Sequence, residues 1–412
     1  MDFSWRAYLK VNEKGEIIRG SLQNIIVVLT YHHLLKDVFR LNDFQKEIFI
    51  AACPPWEDQE EFYIRRLDDN DITNAAAWIE NEGLSPDRNK VFSAIAVVAE
   101  NNKFHPAREY FSQLVWDNTP RLEKWLSFYL GAEDDEPEYL AFIGKKWLTA
   151  AVKRVYEPGC KFDHVLVMEG TQGRGKSTAL EYMATFGHGH TETYFTDNIK
   201  ISDIQNKDTI LLLQGSILVE LAELAGFNKK DDEEIKGWIT LKQDRCRKPY
   251  ERTITVFKRQ FVLSATTNNY DYLKDPTGNR RYWPFKSSAL DLEAIKRDRE
   301  QLWAEAVHLY KSGLYIRPTE EEMELALVAQ DKRRSVDTWE DDVLKAANDL
   351  GPKKYEGFKV RDIYRNLGVP LREQDFKSTR RITTILQING YENSVARIDG
   401  KSMRVWKVKA VS

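Results

Sequence analysis

The stretch F-D-H-V-L-V-M-E-G-T-Q-G-R-G-K-S-T-A-L, from Phe162 to Leu180, decides how the rest of the chain is read. Val165 to Met168 is an apolar run of the length of a buried strand. Gly170, Gly173 and Gly175 interrupt it, Lys176 and Ser177 follow, and a helical pattern runs on from Thr178. This is G-x-x-x-x-G-K-[ST] set between a strand and a helix, the context a phosphate-binding loop requires. Glycines let backbone N–H groups turn inward around phosphate oxygens, and the helix that follows presents its positive end to them. Lys176 has the reach for β- and γ-phosphates, and the Ser177 hydroxyl can ligate Mg²⁺. The pattern predicts a nucleoside triphosphatase using ATP and Mg²⁺, with Gly170, Gly173, Gly175, Lys176, Ser177 and Thr178 lining the phosphate site.

Composition bounds this reading. The 412 residues are 42% hydrophobic and 30% charged, enough for two to four ordered domains. The apolar-leaning stretch from Thr209 to Leu224 is broken by Gln214, Gly215, Ser216, Glu220 and Glu223, too short and polar to span a bilayer. The first residues lack the pattern of a signal peptide. Three widely separated cysteines, Cys53, Cys160 and Cys246, fit a reducing cytoplasm and offer no zinc spacing. A net charge of −3 excludes a generic polyanion binder, so any nucleic-acid surface is local.

Upstream of the glycine-rich stretch, residues 1–75 read as a small mixed region, with a helix over Leu22–Leu35 and a strand over Ile48–Ala52. Residues 76–160 read as helical. Ser85-Pro86 resembles a cap followed by a first-turn proline, and further helices are expected over Ala107–Leu114, Arg121–Leu130 and Glu138–Val155. The acidic run Glu133 to Glu136 reads as a solvated loop.

Downstream, residues 161–335 carry the chemistry. His188 and His190 have no third ligand nearby and read as a polar turn. Ser216 to Val219 predicts a second buried strand that ends in Glu220, with Glu223 three residues on. A carboxylate at such a strand tip can hold Mg²⁺ or polarise an attacking water, and the pair is open between the two roles. A helix is expected over Asp231–Gln243. After it, Arg245, Arg247, Lys248 and Arg252 cluster about Pro249, ahead of the alternating Thr253–Phe257, which predicts a positively charged hairpin. Gln260 to Ala265 predicts another strand. Asn268, just beyond it, can hold water against a γ-phosphate. Arg280 and Arg281 follow in a tight-turn context, and arginine suits bidentate phosphate contacts.

The ordered set G-T-Q-G-R-G-K-S, I-L-V-E-L-A-E-L, D-R-C-R-K-P-Y-E-R, S-A-T-T-N and T-G-N-R-R-Y-W-P-F resembles the virulence-associated protein E family. That family belongs to the superfamily 3 helicases of phages, plasmids and pathogenicity islands, and the likeness runs over roughly residues 80–315. It implies an α/β fold, an AAA+-type P-loop ATPase that forms a homo-oligomer, a hexamer, around DNA and moves 3′ to 5′. It further implies that Asn268 is the sensor residue and that Arg280 or Arg281 reaches a neighbour's ATP. Two departures stand out. Leu221 and Ala222 separate Glu220 from Glu223, where many superfamily 3 members have adjacent acids. No primase domain fits before residue 75, so a helicase without primase is expected.

Residues 336–412 change character. From Gly351 on, seven lysines and seven arginines face three aspartates and three glutamates, a local +8. Helices over Arg361–Leu367 and Ser378–Ile388, the second carrying Arg380 and Arg381 in its first turn, precede an alternating hairpin over Tyr391–Val408. This predicts a winged-helix-like, DNA-binding domain, with a basic structural cap on the ATPase as the rival. The whole predicts a cytoplasmic DNA helicase engaging single-stranded and forked DNA, with no membrane partner. The competing class is an ATP-switched replication initiator or regulator that binds an origin without separating strands.

Overall fold

The computed structural model describes the chain except residues 1–3, 59, 61, 134, 187–191, 222–228, 249–252, 270–271, 274–278, 335–336, 351–356, 399–400 and 410–412. It is a mixed α/β structure of two compact units, one of Met1–Asn269 with Arg280–Ala329, the other of Tyr270–Asn279 with Gln330–Ser412.

The first unit is organised by a five-stranded parallel sheet. Its strands are β1 (Val165–Glu169), β2 (Phe195–Ile199), β3 (Leu218–Leu221), β4 (Val262–Thr267) and β5 (Tyr282–Lys286), in the spatial order β5-β1-β4-β3-β2. All four pairings are parallel. Every residue of β1 and β3 is buried, as a sheet covered on both faces demands. Leu166 and Met168 of β1 share a core with Trp147 of the helix Pro137–Tyr156 and Trp303 of the helix Leu292–Lys311. Both indoles also secure backbone: Trp147 Nε1 donates to Leu263 O at 2.9 Å, and Trp303 Nε1 to Met183 O at 2.8 Å. The latter fixes the far end of the helix Lys176–Met183, which leaves the glycine-rich loop.

Ahead of this sheet, the helices Leu22–Tyr31, Asp69–Asn81 and Arg88–Asn101 pack on a smaller sheet that includes Phe39–Asn42 and Glu47–Ile50. They share a core of Ile25, Val28, Phe39, Ile79 and Ile95. Several boundaries differ from expectation, among them the helix expected over Asp231–Gln243, which spans Lys229–Ile239 and leaves Gln243 to begin a strand. The first helix stops at Tyr31, where His32 turns extended. The cap expected at Ser85 is made by Asp87, whose carboxylate accepts from the N–H groups of Asn89 and Lys90. The helix expected from Arg121 begins at Trp125.

The second unit holds the helices Glu340–Leu350, Val360–Asn366 and Phe376–Ile388 and the antiparallel pair Tyr391–Ile398 and Lys401–Val408. Val343, Ile363, Ile382, Leu386 and Trp406 form its core. No helix among the described residues is long and apolar enough to cross a membrane.

Candidate active site at the carboxyl end of the parallel sheet

The loop from Gly170 to Gly175 joins β1 to the helix Lys176–Met183. Gly170 has φ +150°, and a Cβ there would lie 2.6 Å from Ser287 O, so only glycine fits. Gly175 turns into the helix at φ +88°, again in a region that favours glycine. The Lys176 side chain folds back over the loop and donates to Gly170 O at 2.7 Å and Thr171 O at 2.9 Å. Burial pulls its pKa below the ordinary lysine value, opposed by the charge of Glu220.

Glu220 stands in β3 and is 2% exposed. In the parallel register it lies beside Ser264 of β4, and Thr266 is the next β4 residue on that face. Its Oε1 accepts from Ser177 Oγ at 3.0 Å and from Thr266 Oγ1 at 2.6 Å. Its Oε2 is buried and has no hydrogen-bond partner among the described residues. Burial raises the Glu220 pKa, the two hydroxyls lower it, Asp197 adds to the rise and Lys176 opposes it. Among the described residues no group of three His, Cys, Asp or Glu side chains is placed to hold a metal by itself. The donor set here is a serine hydroxyl and a carboxylate with one oxygen to spare. That suits Mg²⁺, which is held by one or two carboxylates together with phosphate and water oxygens.

The other expected site residues are distributed as follows. Thr178 is half-buried in the first turn of the helix. Asn268 is exposed one residue past β4, and the Thr267 carbonyl before it accepts from Gly170 N at 3.1 Å. Asn268 therefore borders the loop. Glu223, Arg252, His188 and His190 lie outside the described residues.

Arg280 and Arg281 form a short 3-10 turn that leads into β5. Tyr282 pairs in register with Val165, and Lys286 with Glu169. The arginines thus stand at the amino end of the sheet, about 15–20 Å along the strands from Gly170. That exceeds the reach of an arginine side chain. Arg280 is exposed; Arg281 is half-buried, and its Nε has no hydrogen-bond partner among the described residues. His164, stacked on Trp283 at 4.3 Å, is beside them. Burial lowers its pKa to about 4; Asp163 pulls it up, while the two arginine charges push it down.

The basic hairpin is present, with Gln243–Cys246 antiparallel to Thr255–Lys258. Its inner face buries Cys246 and Phe257 against Ile210. Arg259 at its base is fully buried, bidentate to Asp244 at 2.7 and 2.8 Å. Arg245 and Arg247 are exposed, beside the exposed Ile254 and Val256. Lys248 differs from them: it is half-buried and donates to Lys46 O at 3.2 Å.

In the second unit Arg380 is exposed. Arg381 is paired with Asp337, donates to Thr338 Oγ1 at 2.6 Å and lies over the Trp339 ring. It holds its own unit together, which leaves Arg380 as the accessible member of the pair.

Sequence reasoning missed Thr266. Its signal was faint, because a threonine inside a strand is what strand propensity alone would supply.

Residues 111–335 match the virulence-associated protein E-like domain. The chain is similar to the apo structure of the NrS-1 C-terminal region (residues 305–718) at 14% identity and a TM-score of 0.48, over 90% of this chain and 96% of that one. The A form of the same region gives 13% identity and a TM-score of 0.47, with the same coverage. A candidate ATPase from Cytophaga hutchinsonii matches at 13% identity and a TM-score of 0.21, over 61% of this chain and 77% of its own. No curated protein matches.

Proposed function

The chain belongs to the virulence-associated protein E-like family, and we propose that it is an ATP-hydrolysing DNA motor, a helicase acting in the replication of a phage or other mobile element. One observation carries the reading. Lys176, Ser177, Glu220 and the glycine-rich loop meet at the carboxyl ends of β1, β3 and β4. In open α/β sheets that is where ligands bind.

In this reading the loop amides and the start of the helix Lys176–Met183 bind the triphosphate. Lys176 exchanges the carbonyls of Gly170 and Thr171 for β- and γ-phosphate oxygens. Ser177 and Glu220 would hold Mg²⁺, which when bound neutralises charge on the phosphates. Asn268 orients the attacking water, and Glu220 or Glu223 polarises it.

Because Arg280 and Arg281 stand at the far end of their own sheet, the reading assigns them to the ATP of a neighbouring subunit. That assignment requires a homo-oligomer, and the resemblance makes it a hexameric ring. Arg245 and Arg247 on the hairpin grip DNA phosphates, a contact that is sequence-tolerant and salt-sensitive. Arg380, in the winged-helix-like second unit, adds duplex or origin contacts.

The test is ATP turnover together with displacement of a labelled strand from forked DNA bearing a 3′ or a 5′ tail. DNA-stimulated hydrolysis with displacement from the 3′-tailed fork is expected. ATP-dependent assembly on DNA without displacement would favour an initiator switched by ATP. Absence of hydrolysis would remove both readings.

A further inference from the structure

The two oxygens of Glu220 are treated unequally. Oε1 accepts two hydroxyl hydrogen bonds, while Oε2, itself buried, accepts none from the described residues. An unpaired oxygen on a buried carboxylate carries the desolvation penalty of a charged group with no hydrogen bond to offset it, so an arrangement that leaves one in place has a reason. We propose that Thr266 is the positioning residue that pins Glu220 by Oε1 and so reserves Oε2 for the magnesium ion and its waters. The proposal rests on the ATPase reading above.

Three features single out Thr266. Its hydroxyl makes the shorter of the two bonds, 2.6 Å against 3.0 Å from Ser177. Ser177 is also assigned to the metal, whereas Thr266 has no other task at the site. Ser264, the other hydroxyl on that face of β4, cannot replace it, since its Oγ donates to Val219 O at 3.1 Å. The strand itself is stiff. β4 is paired on both sides, by β1 and by β3, and a β-branched residue in a strand has few χ1 choices. The Thr266 hydroxyl is therefore a fixed point against which the longer glutamate is held. Partners that hydrogen-bond a metal-ligating carboxylate are worth about 10–100-fold in metal affinity or activity.

The experiment compares wild type with Thr266→Val, Thr266→Ala and Thr266→Ser in the full chain. A fluorescent ATP analogue is titrated with EDTA and again with Mg²⁺, and kcat and KM for ATP are measured alongside. Val and Ala should leave nucleotide affinity in EDTA unchanged. They should cut the gain in affinity on adding Mg²⁺ about 10-fold, lower kcat by about 10–100-fold, and raise KM for ATP in step with the lost magnesium gain. Ser, which keeps the hydroxyl, should stay within about threefold of wild type on every readout. The inference is overturned if Val or Ala keeps the wild-type magnesium gain and kcat. It is equally overturned if Ser is as impaired as Val, since packing would then be the cause. Failure of the wild-type protein itself to bind nucleotide would instead overturn the ATPase reading, and this inference with it.

Discussion

At the carboxyl end of the central sheet, Ser177 and Thr266 both donate to Glu220 Oε1 and Lys176 donates to two carbonyls of its own loop, which leaves Glu220 Oε2 without a hydrogen-bond partner among the described residues. At the amino end, Arg280 and Arg281 bring two cations beside a neutral imidazole, His164. Asp163, an acid in the same stretch, is paired with Lys161. The first end gathers a lysine, two hydroxyls and a buried carboxylate around a glycine-rich loop. The second carries two arginines, and the buried Nε of Arg281 has no hydrogen-bond partner among the described residues. The contrast accounts for why the arginines are assigned to another subunit's nucleotide: an interface would bring one end of a sheet to face the other end of a neighbour's.

The contrast breaks most severely at Lys176. Lys176→Ala should lower ATP turnover by more than about 10³-fold. The fold should be kept, because among the described residues the lysine side chain hydrogen-bonds only to two carbonyls of its own loop. Thermal melting and steady-state hydrolysis measured together check this. A folded variant with normal turnover would mean that the carboxyl end is not the catalytic one.

A smaller effect sharpens the account of the amino end. His164 has a folded-state pKa of about 4, below the ordinary value of 6.5, so the unfolded chain takes up its proton first as pH falls. Its contribution is fully present above about pH 6.5 and is lost progressively down to about pH 4, by roughly 3 kcal/mol at most. His164→Phe, which can keep the stacking on Trp283, should flatten that part of the stability curve. His105, whose pKa burial also pushes down to about 4, remains in both proteins and cancels in the difference. Identical pH profiles for variant and wild type would show that His164 is not held neutral by its surroundings.

Much of this architecture was legible in the sequence, for identifiable reasons. The strand, glycine-rich loop and helix at Val165–Met183 stood out because glycines and a buried run are hard to place otherwise. The hairpin Tyr391–Val408 followed from simple alternation. Two strands of the central sheet escaped notice. Phe195–Ile199 carries Asp197 and Asn198 and lies at one edge; Tyr282–Lys286 contains Pro284 and lies at the other. Edge positions tolerate a missing N–H, so a proline that argues against a strand in sequence is accommodated in the fold. Charge was the least legible property. Arg381 reads as part of a basic surface, yet it is tied to Asp337, and Lys248 of the basic hairpin is half-buried and donates to Lys46 O. A residue's charge is printed in the sequence, but its partner is set by packing.

The most direct test of the central claim mixes two dead proteins. An arginine supplied from a neighbouring subunit is worth about 10³- to 10⁵-fold in turnover, since it neutralises charge that develops only in the transition state. Arg280→Ala and Arg281→Ala are made separately, and the less active of the two is carried forward. It should still bind nucleotide through its intact loop. Mixed with Lys176→Ala subunits across a range of ratios, it should regain ATP hydrolysis, because some interfaces then pair an intact Lys176 with an intact arginine. No recovery at any ratio, with mixed oligomers shown to form, would contradict the account and return both arginines to a structural role.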